Sequence, residues 1–176
     1  MSLQETFRYN STEWSNKRTV KKRRETKLPG YWLSPFNKIC VQLRFEQFNG
    51  TKTTLVLNHT APSLHSALLQ GDNNALRDDG STLTEFPWIP TPPGSSCLQK
   101  GFNVVVSNNT AIFKARIGLV SQETICPYPS SPLFARGVGF GVLMGFPDNI
   151  TCGDIYRYSD MNGPRAFPAF CKIYIQ

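Results

Sequence analysis

The chemistry this sequence offers most often is the side-chain amide of asparagine placed two residues before a hydroxyl. Asn10, Asn49, Asn58, Asn108 and Asn149 all stand in the Asn-x-Ser/Thr context, which accepts an N-linked glycan in the secretory pathway. Chance supplies roughly two such triplets in a chain of this composition, so the excess points to a glycosylated surface. The same chain carries five cysteines, Cys40, Cys97, Cys126, Cys152 and Cys171. None has a close neighbour, which excludes zinc knuckles and redox Cys-x-x-Cys motifs. In an oxidising compartment two bridges and one remaining thiol are expected. Cys171 stands where an apolar residue would suit a strand, and it reads as a buried free thiol.

Catalytic groups are sparse. The two histidines, His59 inside the triplet Asn58-His59-Thr60 and His65 in a short helical stretch, belong to no hydrolase, metalloprotease or Cys/His signature. His59 is expected near the surface, and the chain is expected not to be an enzyme. Hard oxygen donors gather in two places that could serve calcium: Asp72, Asn73, Asp78 and Asp79 in one loop, and Asp148, Asp154 and Asp160 around Cys152. Neither has the spacing of an EF-hand, and a solvated acidic loop is the competing reading. Calcium is thus the only cofactor expected at all. Trp88, Tyr128, Tyr156 and Tyr158 could stack on sugar rings from loops, against the commoner fate of burial in a core.

The elements that must hold these groups are punctuated by turns. Residues 38–45 alternate apolar and polar, Asn49-Gly50 follows, and 53–57 resume the alternation, which predicts a β-hairpin. Residues 62–69 read as a short helix with Ser63 as N-cap and Leu64, Ala67 and Leu68 on one face. Residues 70–96 are loop-like, because prolines at the density of 87–93 forbid a ladder strand. A second hairpin is predicted from 102–106 and 111–120, followed by a Gly-rich strand over 137–143 and a terminal strand over 170–175. The sum is mainly β with some α, an α+β arrangement of antiparallel sheet, long irregular loops and one or two short helices.

The 176 residues suit one domain with its own core. The formal charge of +7 is concentrated at one end. Residues 1–29 hold eight Lys/Arg against three Glu, a net of +5, and the other 147 residues net only +2. That split argues against a nucleic-acid-binding face. Residues 1–29 read as a basic, disordered tail, with a processing site or a contact to acidic glycans as the functional alternatives, and 30–176 as a single extracellular domain. No apolar run approaches the length of a membrane span. The start lacks an apolar leader, so the sequence is expected to be a piece of a longer secreted protein.

Residues 101–109, Ala115-Arg116-Ile117-Gly118, Cys126, Gly139-Phe140-Gly141, Cys152-Gly153-Asp154-Ile155-Tyr156 and Ile173-Tyr174-Ile175 resemble the terminal part of intelectins and related fibrinogen-like secreted proteins. Residues 31–41 and 94–100 are similar to segments of fibrinogen-like extracellular and matrix proteins of marine invertebrates. The resemblance covers about residues 30–176 and implies a fibrinogen-like C-terminal fold. Its counterparts imply a Cys126–Cys152 bridge, with Cys40 and Cys97 then forming the second pair. The family's Cys-Asp-Met and Gly-Gly-Gly-Trp signatures are absent. The stretch 158–167 lacks the His and Glu of its calcium-dependent glycan site, which therefore does not carry over.

These observations lead to a secreted, lectin-like recognition module, binding glycans or extracellular matrix components through loops, with 86–93 and 154–164 as the candidate binding segments. The alternative is a structural matrix protein without a discrete pocket.

Overall fold

The computed structural model describes residues 6–22, 25–70, 74–76, 98–107, 112–122, 134–144, 149–158 and 165–176. Eleven strands dominate them. β1 (Val20–Lys21) and β2 (Thr26–Lys27) form a small hairpin, and β3 (Phe36–Phe45) and β4 (Thr51–Ala61) a long one. β5 (Asn74–Leu76), β6 (Leu98–Ser107), β7 (Ile112–Gln122), β8 (Phe134–Met144), β9 (Asn149–Tyr158) and β10 (Arg165–Pro168) run as an antiparallel meander in the order β10-β9-β8-β7-β6-β5. The last strand, β11 (Phe170–Ile175), leaves that sheet and pairs with β3, giving a second sheet in the order β11-β3-β4.

The α+β expectation is therefore corrected: the described chain is β-rich. Its helices are only α1 (Gly30–Leu33) and α2 (Leu64–Leu69), with 3-10 turns at Thr12–Trp14 and Glu46–Phe48. Ser63 caps α2 as expected, within a reciprocal capping box completed by Ser66. The Asn49-Gly50 hairpin also forms. Its connection is longer than a two-residue turn because the 3-10 turn precedes Asn49 and Gly50, both left-handed at φ 53° and 71°.

The sheets pack face to face. Alternation on β3 and β4 sends Ile39, Val41, Leu43, Phe45, Leu55 and Leu57 inward, all at most 1% exposed. They share one core with Phe102, Ile117, Leu119, Val138 and Cys152 of the six-stranded sheet. A second core holds Val104, Val106, Phe113, Ala115, Val142 and Ile155. Phe102 and Val104 are two residues apart, as are Ile117 and Ala115, yet each pair divides between the cores. The ladder is interrupted at this level, at Asn103, Arg116 and Gly141. Asn103 and Gly141 take positive φ there, of 48° and 56°. A left-handed residue turns over the pleat that follows it, and so exchanges the buried face.

Two residues along each strand, Gly101, Gly118, Gly139 and Gly153 stand opposite one another across four strands. A Cβ on Gly118 would lie 2.0 Å from the carbonyl oxygen of Val138, and one on Gly139 would lie 2.1 Å from that of Ile117. The sheet creases along this line because only glycine lets the strands approach so closely.

Residues 1–29 are not a solvated tail over their described part, which corrects that expectation. Phe7, Tyr9, Trp14 and Val20 are buried. Tyr9 crosses the sheet at the interrupted level, where a Cβ on Gly141 would lie 3.3 Å from its Cα. Its carbonyl accepts from Arg116 Nε at 2.7 Å, its N–H donates to Asn149 Oδ1 at 3.3 Å, and the Arg116 guanidinium stacks 4.3 Å over its ring. Arg116 also donates to Asn103 Oδ1 at 2.7 Å, and Asn103 Nδ2 donates to the Leu68 carbonyl at the end of α2.

A candidate binding cleft between two strand edges

A cleft of about 460 Å³ opens between the N-terminal hairpin and the terminal strand. One wall is β2 with its flanking residues Glu25 and Leu28, the other is β11, and the floor includes Phe7, Trp14, Tyr31, Phe140 and Cys152. The floor aromatics interlock edge to face: Phe7 and Trp14 at 5.2 Å between centroids, and Trp14 and Phe140 at 6.5 Å.

Polar contacts fix the hairpin wall. Lys27 is buried, and its ammonium donates to the Glu13 carbonyl at 2.6 Å, Asn16 Oδ1 at 2.7 Å, the Asn16 carbonyl at 3.0 Å and Glu13 Oε2 at 3.2 Å. A buried ammonium needs such a set of acceptors to offset its lost hydration. The hydrogen bond from Asn16, joined by Lys27, holds the Glu13 carboxyl below the usual range. The Tyr31 hydroxyl donates to the Trp14 carbonyl at 2.6 Å, and burial pushes its phenol well above the ordinary value. Glu25 accepts both the N–H and the hydroxyl of Thr6.

The opposite wall is fixed covalently. Cys152 on β9 is bridged to Cys171 on β11, with 6.2 Å between Cα atoms, so the bond ties one sheet to the other. This corrects the expected pairing. Cys152 is not available to Cys126, Cys171 is no free thiol, and Cys40 is a free, half-buried cysteine rather than half of a bridge to Cys97. Cys97 and Cys126 lie outside the described residues.

The remaining sequence candidates divide in three ways. Asn10, Asn49 and Asn58 are exposed, whereas Asn149 is half-buried and accepts the Tyr9 N–H. Asp154 is no open calcium ligand: it is fully buried, and Arg136 donates Nε and Nη2 to its two oxygens at 3.1 and 2.9 Å. Burial pushes its carboxyl up against the pull of that guanidinium. Tyr156 is a core residue stacked on Phe167 at 5.5 Å and 20°, not an exposed sugar platform, and 154–158 is strand rather than loop. Tyr158 faces Phe134 in the ladder, with its side chain outside the described set. Asn108, Asp72, Asn73, Asp78, Asp79, Trp88, Tyr128, Asp148 and Asp160, and with them segment 86–93, also lie outside the described residues. Among the described residues no group of three or more His, Cys, Asp or Glu side chains could hold a metal.

Neither histidine lines the cleft. His59, expected at the surface, is wedged between Phe36 and Phe102, with ring centroids at 6.2 and 5.1 Å, and its Nε2 is buried without a hydrogen-bond partner. His65 is buried with Nε2 3.0 Å from the Ser15 carbonyl oxygen. Sequence reading missed the cleft altogether. The available signal was the trio Phe7, Tyr9 and Trp14 inside the basic segment, since solvated tails are poor in aromatics.

No known protein family profile matches this chain, and neither a curated protein nor a solved structure matches it.

Proposed function

We propose that this chain is a secreted, N-glycosylated recognition module that binds glycan or extracellular matrix and carries no catalytic centre. The observation that carries the reading is the aromatic-floored cleft, held open by one covalent and one ionic anchor. A concave apolar site with few polar groups, mostly satisfied by the protein itself, suits retention of a ligand rather than its conversion. The Cys152–Cys171 bridge supports an oxidising compartment. The exposed Asn10, Asn49 and Asn58 support glycosylation there. No helix among the described residues is long and apolar enough to cross a membrane.

Two measurements test this. Expression with an added leader through a eukaryotic secretory route is expected to yield a product whose gel mobility shifts on amidase treatment, and an unshifted translocated chain overturns the extracellular assignment. Retention on mixed-glycan and matrix resins is expected to persist in chelator, because stacking and neutral hydrogen bonds would carry it. Retention abolished by chelator establishes a calcium site, and no retention on any resin favours a structural matrix role.

A further inference from the structure

All six consecutive residues of β11 line the cleft, and so do 25–28 on the facing wall. A cleft lying over the face of a strand is lined by alternate residues only. Consecutive lining therefore means that the cleft runs along strand edges. The topology agrees, since among the described residues β11 pairs only with β3 and β2 only with β1.

The ladders show which backbone groups point into the gap. Gln176 and Lys38 exchange both hydrogen bonds. Antiparallel pairs alternate, so Lys172 and Tyr174 bond to β3 while the N–H and C=O groups of Cys171, Ile173 and Ile175 point away from it. On the other wall Lys22 and Glu25 exchange both bonds. Lys27 then faces Val20, and the peptide groups of Thr26 point outward. Two strand edges thus present backbone donors and acceptors from opposite sides of one apolar-floored gap.

We propose that this gap accepts an extended peptide segment of a matrix protein as an added strand, completing a continuous sheet in the order β4-β3-β11-peptide-β2-β1. The inference rests on the recognition reading above and names its partner as polypeptide. Its side-chain preference follows from the two faces of that sheet. Peptide residues level with Cys171, Ile173 and Ile175 meet Phe7, Trp14 and Phe140, which selects apolar side chains. Residues level with the opposite face lie beside Lys172, with Lys21 one strand further on across Thr26; both lysines are exposed and without an ion-pair partner among the described residues. That selects acidic side chains. Main-chain bonds supply affinity and the alternation supplies specificity.

The probe is an acetylated heptapeptide alternating valine with glutamate, about the length of the edge at ~3.3 Å per residue. Titration calorimetry of the full glycosylated chain is expected to show binding that weakens with salt. Amide hydrogen exchange is expected to slow at Cys171, Ile173 and Ile175. N-methylation of alternate peptide amides removes its donors to one edge without altering the protein, and in one of the two frames is expected to raise Kd at least about tenfold. Binding without protection of those amides, or indifference to N-methylation in both frames, overturns strand addition. Failure of this peptide and of its lysine-substituted counterpart overturns it too, and does so with the recognition reading intact if the chain is still retained on glycan resin.

Discussion

Replacing Lys27 with methionine isolates what anchors the N-terminal segment, because the unbranched stem stays and the ammonium goes. Four acceptors lose their donor: two backbone carbonyls, Asn16 Oδ1 and Glu13 Oε2. Removing one member of a buried ion pair costs about 3–5 kcal/mol when the other charge is trapped. Glu13 is not fully trapped, with 22% of its side chain exposed, so its carboxylate regains water and the lower end applies, about 3 kcal/mol. For a chain of this size that corresponds to a fall in Tm of about 6–12 °C. The loss is capped by the free energy that docks residues 6–27, because a costlier defect is relieved by local unfolding of that segment alone. Thermal denaturation should therefore be paired with limited trypsinolysis, which reports opening of the Lys21–Lys27 region. The expected result is a lowered Tm with faster cleavage there. A variant within ~1 °C of the parent and with unchanged cleavage would show that the segment is unanchored and that the cleft has no fixed hairpin wall.

Gly139→Ala should give little or no folded protein, since its Cβ would sit 2.1 Å from a backbone oxygen at φ 134°; Gly30→Ala, facing only a serine hydroxyl at 3.3 Å, is the tolerated control, and secreted yield with far-UV circular dichroism decides. Non-reducing peptide mapping should recover Cys152 joined to Cys171 with Cys40 open to alkylation, and Cys171→Ser should lower stability by about 3 kcal/mol in denaturant titration, as expected for a separation of 19 residues. His59 is held below its ordinary value of 6.5 by burial, so below that pH the unfolded chain binds more protons than the folded one. Stability should fall as pH drops from 6.5 towards the folded value and be flat above it, and His59→Phe should remove that slope in parallel denaturation curves at pH 5.5 and 7.5.

Local patterns carried much of the strand content. Alternation in 38–45 and 53–57 was legible because β3 and β4 bury one face only, and the Ser63 cap because its bonds lie within one turn. β9 was not legible: Asn149–Tyr158 mixes Cys, Gly and Asp with apolar residues, and its fitness as a strand depends on Arg136 neutralising Asp154 and on the crease that Gly153 serves. The order of the cysteines suggested a Cys126–Cys152 bridge that the chain does not make, because pairing depends on which strands lie back to back. The basic segment was misjudged for a related reason. Its net charge dominates any local average, while Lys27, one of its cations, satisfies its ammonium on Glu13 and Asn16, which sequence alone does not bring to it.

Composition and motif supplied by themselves five glycan-acceptor triplets, the β3–β4 hairpin, the Ser63 cap and cysteines suited to bridging, because those properties belong to single residues and their immediate neighbours, whereas the α+β class read from them gave way to a β-rich fold. Tertiary structure alone decided that β11 leaves the main sheet, that Cys171 meets Cys152, that Asp154 and Tyr156 are interior rather than ligand-facing, and that two strand edges confront each other across a cleft. Each of these is a contact between residues distant in sequence. Such a contact is set by which buried faces and unpaired backbone groups find one another when the whole chain condenses, and no window of neighbouring residues contains that information.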